Sequence, residues 1–111
     1  VAITGAGIVS GLGCDLSGFW DQLLAGTSAA REVTLPGLPP LPAVTVDDDA
    51  LDAEAVVGRR EVKRMDRVGV LAAVAAAQAV ADAGAHGIAP ERIGASIACA
   101  ACQCRSTQSN L

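Results

Sequence analysis

Aromatic side chains are almost missing: the 111 residues hold no Tyr, one Phe and one Trp. That excludes a core built on large rings, and the 51% apolar content falls mainly to Ala, Val, Leu and Ile. Small side chains bury little area each, at roughly 25 cal/mol per Å². Such a composition suits closely packed helix and sheet layers of a larger α/β protein. Basic excess is missing too. Twelve acidic against eight basic residues leave a net charge of −4, the wrong sign for a chain whose main partner is nucleic acid. No apolar run reaches the ~18 residues of a transmembrane helix, and no basic stretch leads an apolar one at the N-terminus. A cytoplasmic location with no membrane partner is the expectation, and the four cysteines are then thiols.

What is present is a succession of short patterns. Val1 to Gly5 is apolar, β-branched and closed by glycine, which reads as a buried strand. Glycines at 5, 7, 11 and 13 make the next stretch a loop. Asp15 or Ser17 can cap a helix whose Phe19, Trp20, Leu23 and Leu24 share one face, with Gly26 as its stop. From Thr27 to Asp52 periodicity dissolves. Prolines at 36, 39, 40 and 42 exclude a regular helix and any central strand. Ala43 to Val46 reads as one short edge strand. Asp47 to Asp49 reads as a turn, or as the cap of a short helix over Ala50 to Val57.

A charge-dense segment, Arg59 to Arg67, opens an Ala-rich run from Val68 to Ala83 with good helix propensity. Met65, Leu71, Ala75, Ala79 and Ala83 are expected to line its buried face, and Gly84 to end it. Arg92 to Ala98 reads as a second buried strand. The order strand, glycine loop, helix, excursion, long helix, strand is an α/β order and implies a parallel or mixed sheet.

Gly5-x-Gly7-x-x-x-Gly11 between a strand and a helix fits a variant of the dinucleotide fingerprint, whose amides cradle a pyrophosphate. The acidic residue expected about 20 positions on, at the end of a second strand, is not there. That zone holds Arg31-Glu32-Val33 without a convincing strand. A tight structural turn is the preferred reading, with a nucleotide-binding oxidoreductase fragment as the rival from another class.

Three blocks carry a resemblance. They are Val1-Ala2-Ile3-Thr4-Gly5-Ala6-Gly7-Ile8-Val9-Ser10 with Phe19 to Ser28, then Arg60-Glu61-Val62-Lys63-Arg64-Met65-Asp66-Arg67, then Arg92-Ile93-Gly94-Ala95-Ser96-Ile97. In this order and spacing the chain resembles the N-terminal part of elongating β-ketoacyl-acyl-carrier-protein synthases. Residues 1–98 carry the resemblance, and residues 99–111 read as a divergent tail or truncated end. Two departures stand out. Gly11 replaces the family's usual proline, and Ala98-Cys99-Ala100-Ala101-Cys102-Gln103 replaces its glycine-rich turn.

The resemblance implies a thiolase-like fold of layered α-β-α-β-α architecture with a mixed sheet. It implies a complete enzyme that joins a carrier-bound malonyl unit to an acyl thioester by decarboxylative Claisen condensation, in fatty acid or polyketide synthesis. It implies no cofactor and no metal. Its partners would be an acyl carrier protein, and a homodimer mate or a ketosynthase-like partner subunit. A non-catalytic, chain-length-factor-like partner is the alternative within the family.

The family's nucleophilic cysteine and two histidines lie beyond position 111, so no catalytic residue is expected here and the chain alone is expected to be inactive. Cys99 sits after an early strand rather than at the nucleophile's later elbow, and it is rejected as a catalyst. Cys99, Cys102 and Cys104 lack a near fourth ligand for zinc and read as incidental thiols, and His86 reads as a loop residue. By position, Ala101 falls where family members place a residue lining the acyl pocket. Arg60, Lys63 and Arg64 match basic residues that contact the carrier's acidic helix, and their spacing puts them on one face of a helix.

Overall fold

The computed structural model describes residues 1–84 and 87–98. Its elements are α1 (Leu16–Leu24), β1 (Arg31–Val33), β2 (Leu41–Ala43), α2 (Asp48–Leu51), α3 (Ala53–Val57), α4 (Arg59–Val62) and α5 (Arg67–Asp82), followed by a 3-10 turn at Pro90–Arg92.

Helix starts follow side-chain capping. The Asp15 carboxylate accepts from the Gly18 amide at the head of α1, Asp47 from the Asp49 amide before α2, and Asp66 from the Gly69 amide before α5. A cap of this kind satisfies one of the amides that a helix leaves without a partner. The stops at Gly26 and Gly84 fall where the sequence places them, at φ 68° and 60°. The expected helix over Ala50 to Val57 is two short helices instead. Asp52 joins them in the left-handed region, φ 43° and ψ 43°, where Asp is one of the few side chains tolerated.

The core is small. Leu51, Val70 and Val74 are its buried residues, flanked by half-buried Val9, Val46, Val57, Val62 and Leu71. α3 packs against both α5 and α4. The fully buried residues of α5 are Val70 and Val74, one turn apart, with the expected Leu71 half-buried beside them. Met65 lies before the Asp66 cap and is exposed. The expected alanines permit a close approach. Ala75 and Ala79 are half-buried beneath residues 5–7, where a Cβ at Gly5 would overlap the Ala79 carbonyl oxygen and one at Gly7 the Ala75 carbonyl oxygen. Glycine is needed there because backbone meets backbone.

The sheet corrects four expectations. The edge strand expected over Ala43 to Val46 runs over Leu41–Ala43 and leaves Val44 to Val46 outside it. Val1 to Gly5 and Ile93 to Ala98 are not strands, since neither has a strand beside it among the described residues. The Ala6 and Ile8 amides, just past the first of them, find Asp82 and Gln78 of α5 instead. Arg31 to Val33, read as lacking a strand, pairs antiparallel with Leu41 to Ala43 in the register Arg31 to Ala43, Glu32 to Pro42 and Val33 to Leu41. A Leu35-Pro36-Gly37-Leu38 turn closes this hairpin, with Leu38 N–H donating to Leu35 C=O at 3.1 Å and Gly37 at φ 78°. Pro before a positive-φ Gly is the chemistry of a type II turn. Pro42 is tolerated because every strand of a two-stranded sheet is an edge. At the level of class the chain mixes helices with a small sheet.

Candidate functional site

The expected site rests on a break and a turn. Gly58, at φ 101°, separates α3 from α4. α4 ends at Val62, but Lys63 keeps helical angles (φ −68°, ψ −17°). The Arg64 and Met65 amides both donate to the Glu61 carbonyl oxygen, at 2.9 and 3.1 Å. The helical path thus continues through Met65, which sets Arg60 and Arg64 one turn apart with Lys63 beside them. Val57 and Val62 pack inward on the Leu51, Val70 and Val74 cluster. Arg60, Lys63 and Arg64 are all exposed.

Their neighbours divide sharply. Arg59 pairs with Glu54 at 3.9 Å. Arg67 pairs with Asp48 and also donates to the Val46 carbonyl oxygen at 3.1 Å. The outer arginines of the basic run are therefore engaged with the chain's own acids. Among the described residues, Arg60, Lys63 and Arg64 take part in no ion pair. Next to them lies an open depression whose wall carries Asp48, Asp49, Asp52 and Glu54 together with Arg67. Two of those four acids already hold an arginine, so an acidic partner meets its attraction at Arg60, Lys63 and Arg64.

The glycine loop offers no phosphate cradle. Five of its amides are engaged inside the chain: Ala6 N–H on Asp82, Ile8 N–H on Gln78, Leu12 N–H on the Ser10 hydroxyl, and Ser10 and Gly13 N–H on each other's carbonyl oxygens. The head of α1 already holds the Asp15 carboxylate. A pyrophosphate would have to displace two carboxylates and an amide, so the nucleotide-binding reading is not supported.

His86, Cys99, Ala101, Cys102 and Cys104 lie outside the described residues. Among the described residues no group of three His, Cys, Asp or Glu side chains converges on a metal position. No helix among them is long and apolar enough to cross a membrane. Sequence reasoning passed over Gln78 and Asp82. They are the only polar residues between Gly69 and Ala83, spaced i, i+4, and that interruption of an Ala-rich run was the signal.

The family model for the β-ketoacyl synthase N-terminal domain matches residues 1–110. The chain is 38% identical over 92 residues to 3-oxoacyl-[acyl-carrier-protein] synthase 2 of Rhizobium meliloti (strain 1021), covering 76% of this chain and 22% of that protein. It is 32% identical over 111 residues to granaticin polyketide β-ketoacyl synthase 1 of Streptomyces violaceoruber, covering 97% of this chain and 26% of that protein. It is 36% identical over 102 residues to the tetracenomycin polyketide synthase ketoacyl synthase alpha subunit of Streptomyces glaucescens, covering 87% and 24%. The chain thus spans about a quarter of the length of these relatives. No solved structure matches it.

Proposed function

The chain belongs to the β-ketoacyl synthase family, matched through the N-terminal domain, and from that premise we propose that it supplies the carrier-protein docking surface of an elongating ketosynthase. The whole enzyme would condense a carrier-bound malonyl unit with an acyl thioester, losing carbon dioxide. Such chemistry needs a nucleophile and positioned donors for the developing negative charge. Neither is expected in this chain, so these 111 residues alone make no condensation product. Their part is recognition. The synthase would act in the cytoplasm, within a layered thiolase-like fold and as a homodimer or with a ketosynthase-like partner subunit. All three relatives are named as synthases, which favours this reading over the non-catalytic partner.

One observation carries the reading: Arg60, Lys63 and Arg64 are exposed, share a helical turn, and are not paired with acids among the described residues, in a chain of net charge −4. Cations left open on one turn favour an acidic partner. The test is a titration of this chain with an acyl carrier protein at low and high salt. Binding at low salt that fades with added salt is expected. Binding that the Arg60→Glu, Lys63→Glu, Arg64→Glu variant retains at low salt would remove the assignment.

A further inference from the structure

Arg67 holds two groups at the head of α5. Its guanidinium pairs with Asp48 and donates to the Val46 carbonyl oxygen at 3.1 Å. These partners lie 19 and 21 residues upstream, where the chain enters α2. A guanidinium presents several N–H groups in one plane, so it can serve a carboxylate and a carbonyl together, where an ammonium is a single point charge. The other outer arginine is held less firmly. Arg59 reaches Glu54 only at 3.9 Å, and its side chain is 75% exposed against 37% for Arg67. A pair as exposed as Arg59 and Glu54 contributes little in water, so Arg67 is the one that secures its acid. The place of that acid matters. Asp48 lines the open depression together with Val62, Met65 and Arg67, and Val62 and Met65 bracket Lys63 and Arg64 in the chain. The depression holds about 520 Å³, a span on the order of the ~10 Å over which exposed charges act at 0.1 M salt.

We propose that Arg67 is a positioning residue for the carrier-docking turn: by holding Asp48 it keeps that carboxylate from neutralising Lys63 and Arg64 within the chain and from repelling an acidic carrier. The inference rests on the docking role of Arg60, Lys63 and Arg64, and it names the residue that keeps their charge available. The bond to Val46 supplies the geometric half. It ties the chain entering α2 to the first residue of α5, so Asp48 stays at the helix head and not over the cation turn. Without Arg67 the Asp48 carboxylate, whose side chain is 76% exposed, would turn to the cations bordering the depression. Asp49 and Asp52 line the same depression and hold no arginine among the described residues. Their charge is a constant background, and Asp48 is the acid whose charge Arg67 controls.

Titration of the whole chain with an acyl carrier protein at low salt tests it. Arg67→Gln removes the charge, keeps a side-chain donor, and should weaken binding about threefold, the size expected when one exposed charge is uncovered. Adding Asp48→Asn should restore wild-type affinity, because no uncovered acid is left, and the two changes are then coupled. A merely structural role for Arg67 would not be rescued in this way, since the Val46 bond is disturbed in both variants. Arg59→Gln should change affinity less than Arg67→Gln does. Should Arg67→Gln disturb folding, Asp48→Asn alone reads the pair from the other side. It releases Arg67 to join Arg60, Lys63 and Arg64 as a free cation and should tighten binding about twofold. A loss with Arg67→Gln that Asp48→Asn does not rescue would overturn the inference, and so would Asp48→Asn at unchanged affinity. Arg67→Gln at wild-type affinity, while the variant with Glu at 60, 63 and 64 loses the carrier, would overturn the inference and leave the docking role standing. A wild-type chain that binds no carrier at low salt would overturn the docking role and the inference with it.

Discussion

Two regions of this chain are equally apolar and end in opposite states. Around α5, Leu51, Val70 and Val74 are buried and the helix is capped at both ends. At the extended segments 1–4 and 93–98, Val1, Ile3, Ile93 and Ile97 stand in the open. The sequences do not separate these outcomes by hydrophobicity. Partners do. Val70 and Val74 have α3 within reach, whereas the extended segments have no strand beside them among the described residues. Apolar patterning states a demand for burial, and only the arrangement of neighbours meets it.

The contrast is sharpest at Leu51. It is 3% exposed, and Leu51→Ala should cost about 2–5 kcal/mol. The loss should be read as faster amide exchange along α5, since Val70 and Val74 would lose the side chain they pack on. Exchange that is unchanged would mean α5 holds without a core and would erase the distinction between the regions.

A smaller effect is expected from the cap. Asp66 accepts the Gly69 amide at 2.8 Å, and Asp66→Ala should cost about 0.5–2 kcal/mol, visible as fraying of the first turn of α5 in amide exchange. Asp66→Asn keeps an acceptor oxygen and should recover most of that. If Ala and Asn behaved alike, the carboxylate would act by its charge rather than as a cap.

The smallest stability change belongs to the exposed segments. Ile3→Ser and Ile97→Ser remove side chains that are 92% and 75% exposed, so stability should move by no more than about 0.5 kcal/mol. Association at high concentration should nevertheless fall, as light scattering would register. A cost as large as that of Leu51→Ala would place these residues in a core and break the comparison.

Much of the path to the site is legible in the sequence because it is local. Asp15, Asp47 and Asp66 signal caps, Gly26 and Gly84 signal stops, and Arg60, Lys63 and Arg64 announce a shared face by spacing alone. The failures are where one segment's state depends on another. Val1 to Gly5 has the composition of a strand, but a strand exists only with a neighbour. Of the expected stripe, Leu71, Ala75, Ala79 and Ala83 are half-buried as read, and only Met65 falls outside it, because Asp66 starts the helix after Met65. The hairpin of β1 and β2 was readable in principle. Pro36-Gly37 carries turn chemistry, but three-residue strands are too short for alternation to register. Nothing local marks Arg59 and Arg67 as engaged with Glu54 and Asp48 and the three cations between them as open. That division comes from the return of α2 and α3 beside α4 and α5.

The docking role is tested most directly by charge reversal in a synthase that carries this segment. With Arg60→Glu, Lys63→Glu and Arg64→Glu combined, kcat/KM for carrier-bound substrate at low salt should fall about tenfold or more, through lost attraction and added repulsion. The difference should shrink as salt screens it, while turnover of a small acyl thioester without the protein carrier stays at the wild-type rate. Wild-type use of the carrier-bound substrate at low salt would contradict the account, and so would an equal loss with both substrates.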